Sequence, residues 1–181
     1  MKSWLSIAAL AAVTLMVVFY RAFQKDPGSL REVPFLLKGK PAPAFAVTDL
    51  QTGAPVTSEQ LRGQPYVLNF WASWCGPCQV EHAAVEWGAR TYGDRVRFFG
   101  VVYEDTQENA KRDLTRRAVS FPQLWDPKSR MAVDLATTGV PETYFIDASG
   151  IIMDKYVGPI DREALAYLVG RIAPPRAEAR P

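Results

Sequence analysis

Two cysteines held apart by a glycine and a proline are the residues of this chain best suited to chemistry: Trp74-Cys75-Gly76-Pro77-Cys78. A thiolate is a nucleophile, and two thiols at this spacing can close into a disulfide or exchange with one on a partner. The run before them, Tyr66 to Trp71, is apolar and of strand length, as suits a strand buried on both faces. From Gly76 to about Arg90 the residues favour helix, with Pro77 in the first turn, where its missing N–H does no harm. This order places the sulfur of Cys75 at a helix N-terminus, where unpaired N–H groups and the macrodipole favour the thiolate. Cys75 is therefore expected to attack, and Cys78, one turn further in and shielded, to resolve the mixed disulfide. Gly76 and Pro77 set the turn without a bulky side chain over the sulfur. The chain has no other cysteine, so the pair must take electrons from a partner or give them to one.

The competing reading of a Cys-x-x-Cys pair is a metal site. Two cysteines and the single histidine, His82, fall one ligand short of a closed structural zinc site. His82 is assigned a structural or surface place, and neither metal nor cofactor is expected. Composition narrows the function further. The chain has 181 residues, 48% hydrophobic and 22% charged, the profile of one ordinary globular domain. Its net charge of +2 comes from 21 basic and 19 acidic residues, and residues 1–25 contribute Lys2, Arg21 and Lys25 with no acid. Without that segment the balance is −1, so the body lacks the basic field that nucleic-acid binding needs.

The elements that must position the cysteines follow from pattern. Ala44 to Leu50 reads as an opening strand, Ser58 to Leu61 as one helical turn, and Val96 to Val102 as a second buried strand. Thr106 caps a polar helix running to Arg117, and Lys128 to Ala136 is a shorter helical stretch. Thr143–Asp147 and Ile151–Val157, joined by Ala148-Ser149-Gly150, read as a hairpin. Asp161 then caps a helix whose Leu165, Leu168, Val169 and Ile172 repeat at helical spacing. The predicted fold class is α/β, a central mixed sheet with helices on both faces.

The ends are different in kind. Trp4 to Tyr20 is apolar and uncharged, about 25 Å long as a helix, at the short end of what spans a bilayer. A signal peptide normally has a shorter apolar core, and Phe19 to Phe23 fit a cleavage site poorly, so residues 1–23 are read as an uncleaved membrane anchor. The flanking charges do not set its orientation and lean against a domain outside the cytoplasm. Residues 24–35 form a tether, 36–172 the domain and 173–181 a flexible tail.

FWASWCGPC followed by GVPETYFID resembles the thioredoxin superfamily. The narrower match is to the CcmG/DsbE family, membrane-anchored thiol–disulfide proteins of cytochrome c maturation. It rests on Cys78-Gln79-Val80-Glu81-His82, Pro141-Glu142-Thr143, Asp126-Pro127-Lys128 and the opening LLKGKPAPAF. The resemblance covers roughly residues 36–172, and ResA and TlpA share most of it. It implies a thioredoxin-like fold behind an N-terminal transmembrane helix, and a cis peptide bond before Pro141. Val140 would then offer its backbone to an extended substrate strand. Cytosolic thioredoxin has a buried aspartate where this chain has Asn69, so the proton of Cys78 must rely on another group. By resemblance that group is Glu81, with Glu142 the second candidate.

The resemblance thus implies a thiol–disulfide oxidoreductase anchored in the cytoplasmic membrane with its domain on the periplasmic side. Its substrate would be the haem-binding cysteines of apocytochrome c, or the carrier that has just reduced them. A DsbD- or CcdA-type membrane protein would re-reduce it. The alternative within the fold is a general reductase of the ResA/TlpA type. A copper chaperone like the Sco proteins would use Cys-x-x-x-Cys with a distant histidine, which this chain lacks.

Overall fold

The structure is a computed structural model that describes residues 12–17, 35–117 and 119–173. The chain divides into two units, Met1–Phe35 and Leu36–Pro181. In the first, residues 12–17 are helical. The rest of the expected span Trp4–Tyr20, the tether up to residue 34 and the tail from residue 174 lie outside the described residues. Among those described, no helix is long and apolar enough to cross a membrane.

The second unit is built on one mixed sheet in the order β2-β1-β5-β4-β3-β6-β7. The strands are β1 (Ala46–Asp49), β2 (Pro55–Thr57), β3 (Tyr66–Trp71), β4 (Arg97–Val102), β5 (Gln123–Trp125), β6 (Glu142–Ile146) and β7 (Ile152–Val157). The helices are α1 (Gly76–Tyr92), α2 (Gln107–Thr115), α3 (Arg130–Asp134) and α4 (Arg162–Ile172). β3, β4 and β5 run parallel, while β6 lies antiparallel to β3. Every residue of β3 is buried, as its unbroken apolar run requires.

Two strands were not expected from the sequence. β2 and β5 are three residues each, and β5 is enclosed by Pro122 and Pro127, so neither is long enough to show a period. β5 nevertheless extends the parallel set and joins it to β1.

Alternation along the central strands decides what meets what. Val67 and Phe98 point into a core shared with Val85 of α1 and with Leu165 and Val169 of α4. Trp71 and Val102, of the same parity, enter a second cluster with Cys75, Cys78, Ala110 and Leu114. α1, α2 and α4 therefore cover one face. On the other, Phe70 packs edge-to-face on Tyr144, whose hydroxyl oxygen lies 3.2 Å from the carbonyl oxygen of Leu135 just after α3.

The chain leading into β1 is fastened to the start of β7. Gly39 N donates to Ile152 O, Ile152 N to Lys40 O and Ala42 N to Gly150 O. Asp154 adds ion pairs with Lys38 and Arg171. By strand order this junction lies at the end of the sheet opposite the cysteines: Ile152 pairs with Ile146, which pairs with Tyr66, the first residue of β3.

Gly100 lies between β3 and β5 where no side chain fits. A Cβ there would meet the side-chain oxygen of Gln123 at 2.0 Å. That oxygen accepts from the indole N–H of Trp71 at 2.8 Å, and the Gln123 amide donates to Phe121 O, so Gln123 cannot move without losing both bonds. Gly100→Ala is expected to destabilise the domain by about 2 kcal/mol, the scale of one buried donor left without its partner. Equilibrium urea unfolding checks this, and an unchanged midpoint would contradict it.

Candidate active site

The chain leaves the end of β3 at Trp71 and turns directly into α1. Cys75 is the N-cap of that helix, and its Sγ accepts a hydrogen bond from the backbone N–H of Cys78 at 3.1 Å. Pro77 lies in the first turn. The two sulfurs are joined as a disulfide with Cα atoms 5.3 Å apart. Shielding is not confined to Cys78: both cysteines are 3% exposed in this oxidised form, each packed into the cluster around Trp71. Trp74, Gly76 and Pro77, their neighbours in sequence, are exposed.

The loop after β4 holds this turn in place. Tyr103 N donates to Trp71 O at 2.9 Å, and Ser73 N to the Asp105 carboxylate at 2.7 Å. Trp74, 60% exposed, donates its indole N–H to Glu104 O at 3.0 Å. Glu104 adopts a left-handed φ of 42°, the bend that presents its carbonyl to the indole. Thr106 caps α2 by accepting from Asn109 N, as its position before a helical run predicts. The buttressing role of Asp105 was not legible, because an Asp-Thr pair before a helix signals only a cap.

Across from the disulfide, the Val140–Pro141 peptide bond is cis and Val140 packs against the cluster that contains both cysteines. The next residue, Glu142, opens β6 and is buried. One of its oxygens accepts from the backbone N–H and the hydroxyl of Thr138, the other from Tyr144 Oη at 2.9 Å and Lys155 Nζ at 2.8 Å. Glu142 thereby ties Thr138, in the loop that carries Val140 and Pro141, to β6 and β7. Nothing in the sequence pointed to Lys155 as its partner.

Glu81 is buried in different company. One oxygen accepts from Asn69 Nδ2 at 2.7 Å and the other from Ile160 N at 3.0 Å. Asn69 also donates to the Thr143 hydroxyl at 3.0 Å, so the residue that replaces thioredoxin's aspartate links β3, β6 and α1. Burial pushes the Glu81 carboxyl up to about 7, against the opposing pull of the Asn69 and Ile160 hydrogen bonds. Of the two buried glutamates, Glu142 has a cation for a partner and Glu81 has only neutral donors.

His82 is half-buried on α1, one turn beyond Cys78. It lines a cavity of about 20 Å³ together with Cys78, Asn69, Trp71 and Gln123. Among the described residues no group of three or more His, Cys, Asp or Glu side chains is placed to hold a metal ion. The arrangement can do two-electron thiol–disulfide exchange: a capped sulfur at a helix N-terminus, a second within bonding distance, and a proton-titrating carboxyl nearby.

The AhpC/TSA family matches residues 38–155. The chain is 37% identical to the thiol:disulfide interchange protein DsbE of Pseudomonas fluorescens biotype C, over 89% of this chain and 88% of that one. It is 35% identical to the thiol:disulfide interchange protein HelX of Rhodobacter capsulatus, over 81% of each. A solved thiol:disulfide interchange protein of the thioredoxin family from Chlorobium tepidum TLS superposes with a TM-score of 0.67 at 26% identity, over 75% of this chain and 97% of that one. The fold is therefore thioredoxin-like, and the cysteine pair at the head of α1 sits in a chain of protein-disulfide oxidoreductase lineage: it belongs to the AhpC/TSA family and, within it, to the CcmG/DsbE group of thiol:disulfide interchange proteins.

Proposed function

We propose that the chain is a membrane-anchored, extracytoplasmic reductant that returns the haem-binding cysteines of apocytochrome c, or of their thiol carrier, to the free thiol form. The observation that carries the redox part is the Cys75–Cys78 disulfide at the N-terminus of α1, with the Cys75 sulfur as cap. The substrate and direction are supported by membership of the CcmG/DsbE group. Haem attachment needs free thiols, and an oxidising compartment would otherwise close a Cys-x-x-Cys-His pair. Residues 1–23 would anchor the chain, 24–35 tether it, 36–172 form the catalytic domain and 173–181 remain a flexible tail. The apolar, uncharged run from Trp4 to Tyr20 supports the anchor. A DsbD- or CcdA-type membrane protein would restore the dithiol after each turnover.

In this mechanism Cys75 attacks a substrate sulfur, and Cys78 then displaces the substrate from Cys75. The exposed indole of Trp74 and the turn at Gly76-Pro77 receive the partner, while Val140 and Pro141 face the substrate strand. Glu142, ion-paired and bonded to Thr138, holds that facing loop in position. Glu81, bonded through Asn69 to the wall around Cys78, couples its own ionisation to that of the thiols.

Cys75→Ala and Cys78→Ala are each expected to bring turnover of a disulfide-bonded peptide down to the uncatalysed rate. Retained turnover in either would remove the dithiol mechanism. Glu81 gives up its proton near pH 7, and its negative charge above that pH disfavours a nearby thiolate. Glu81→Gln is therefore expected to move the alkylation-versus-pH curve of the reduced chain to lower pH, by about one unit. Superimposed curves would make Glu81 a structural residue only.

A further inference from the structure

Cys78 is buried, yet its proton must leave before it can act as a nucleophile and return when the pair is reduced. Asn69 holds one wall of the Cys78 cavity and bonds Glu81 behind it. An amide keeps its protons, so Asn69 is a spacer and not a conductor between Cys78 and the Glu81 carboxyl. The helical step of four residues puts His82 on the same side of α1 as Cys78, and the two line the same cavity. At about 20 Å³ the cavity exceeds the roughly 10–15 Å³ that one water needs. His82 both lines the cavity and is half-buried, so part of the residue is within reach of solvent. Gln123, which also lines the cavity, already has its oxygen on Trp71 and its amide on Phe121 O, and it cannot titrate.

We propose that His82 carries the proton between the buried Cys78 thiol and solvent, through one water in the cavity they share. The inference rests on the thiol–disulfide reading above. The Cys75 thiolate first attacks the substrate disulfide, forming a Cys75–substrate bond and releasing one substrate thiolate. The Cys78 thiol then passes its proton to the cavity water, which passes one to the imidazole. The Cys78 thiolate attacks Cys75 Sγ, the Cys75–Cys78 bond forms, and the Cys75–substrate bond breaks. The second substrate thiolate takes a proton from solvent, and the imidazolium returns its own to solvent. Two electrons have moved from the dithiol to the substrate disulfide.

Charged groups among the described residues border this route. Asp113 of α2 and Arg117, just beyond its end, form an ion pair at 2.5 Å, with Arg117 lining the cavity. From α1 itself come Glu81, behind Asn69, and Glu86, which is bonded to Ser120 N and Arg90. Imidazole is the group type along this route that ordinarily changes charge between pH 5 and 8 without a large perturbation.

The test is the pH dependence of the resolving step in the full chain, followed by rapid mixing of the reduced protein with a disulfide-bonded peptide and acid quench of the mixed disulfide. His82→Gln is expected to slow decay of the mixed disulfide about tenfold near neutral pH, leaving its formation by Cys75 unaltered, and, in a Glu81→Gln chain where that carboxyl no longer titrates near pH 7, to remove the inflection that remains between pH 5 and 8. Resolving-step profiles that overlay would overturn the role of His82. Failure of the unaltered chain to form a mixed disulfide at all would instead overturn the thiol–disulfide reading beneath it. A second measurement needs no substitution, because His82 is the only histidine and its imidazole resonances are unambiguous. Its NMR titration midpoint is expected to differ between the oxidised and reduced chains, since reduction puts an ionisable thiol into the shared cavity. Identical midpoints would also overturn the proposal.

Discussion

The start of one helix governs this site. β3 is buried along its whole length and ends at Trp71, and the chain has only four residues before α1 begins. The cap of that helix is the sulfur of Cys75, so the same N–H groups that need an acceptor are the ones that favour a thiolate. Helical geometry then dictates what lies beneath. Three and four residues beyond Cys78, Glu81 turns toward the core and His82 toward the cavity and the surface. Moving the helix start by one residue would rotate all three away from their partners. The bonds that join Trp71, Ser73 and Trp74 to the loop after β4 keep it from moving.

Two carboxylates are buried on the elements that frame the dithiol, Glu81 on α1 and Glu142 next to Pro141, and their surroundings divide the labour between them. Glu142 faces a cation and three further donors, and its bonds reach the segment carrying Val140 and Pro141. That is the environment of a group that fixes geometry. Glu81 has two neutral donors and, among the described residues, no ion pair, and burial outweighs both bonds, so its proton is held to about pH 7. That is the environment of a group whose charge state changes under working conditions. Substituting asparagine for thioredoxin's aspartate does not leave a gap in the strand. It supplies the donor that a glutamate from the helix requires.

Much of this was legible in the residues. The apolar run of β3, the proline in the first turn of α1, Thr106 as a cap and the periodic aliphatic residues of α4 are strong local signals, and the structure has each element where they point. The short strands were not legible, because three residues such as Gln123–Trp125 show no period and their pairing is decided by β1 and β4 on either side. The cysteines stood out by spacing alone. Lys155, Asp105 and Gln123 did not, because their partners lie far off in the sequence and are brought in only by sheet order and loop packing. His82 was visible as a residue four places after Cys78, but a cavity between them cannot be read from spacing.

The central claim, that the Cys75–Cys78 pair works as a reductant, is tested most directly by its reduction potential. Equilibration of the full chain against glutathione mixtures, with the oxidised fraction read by thiol alkylation, supplies that value. The account predicts a potential around or below about −200 mV. A potential near about −120 mV, where strongly oxidising dithiol proteins lie, would contradict it.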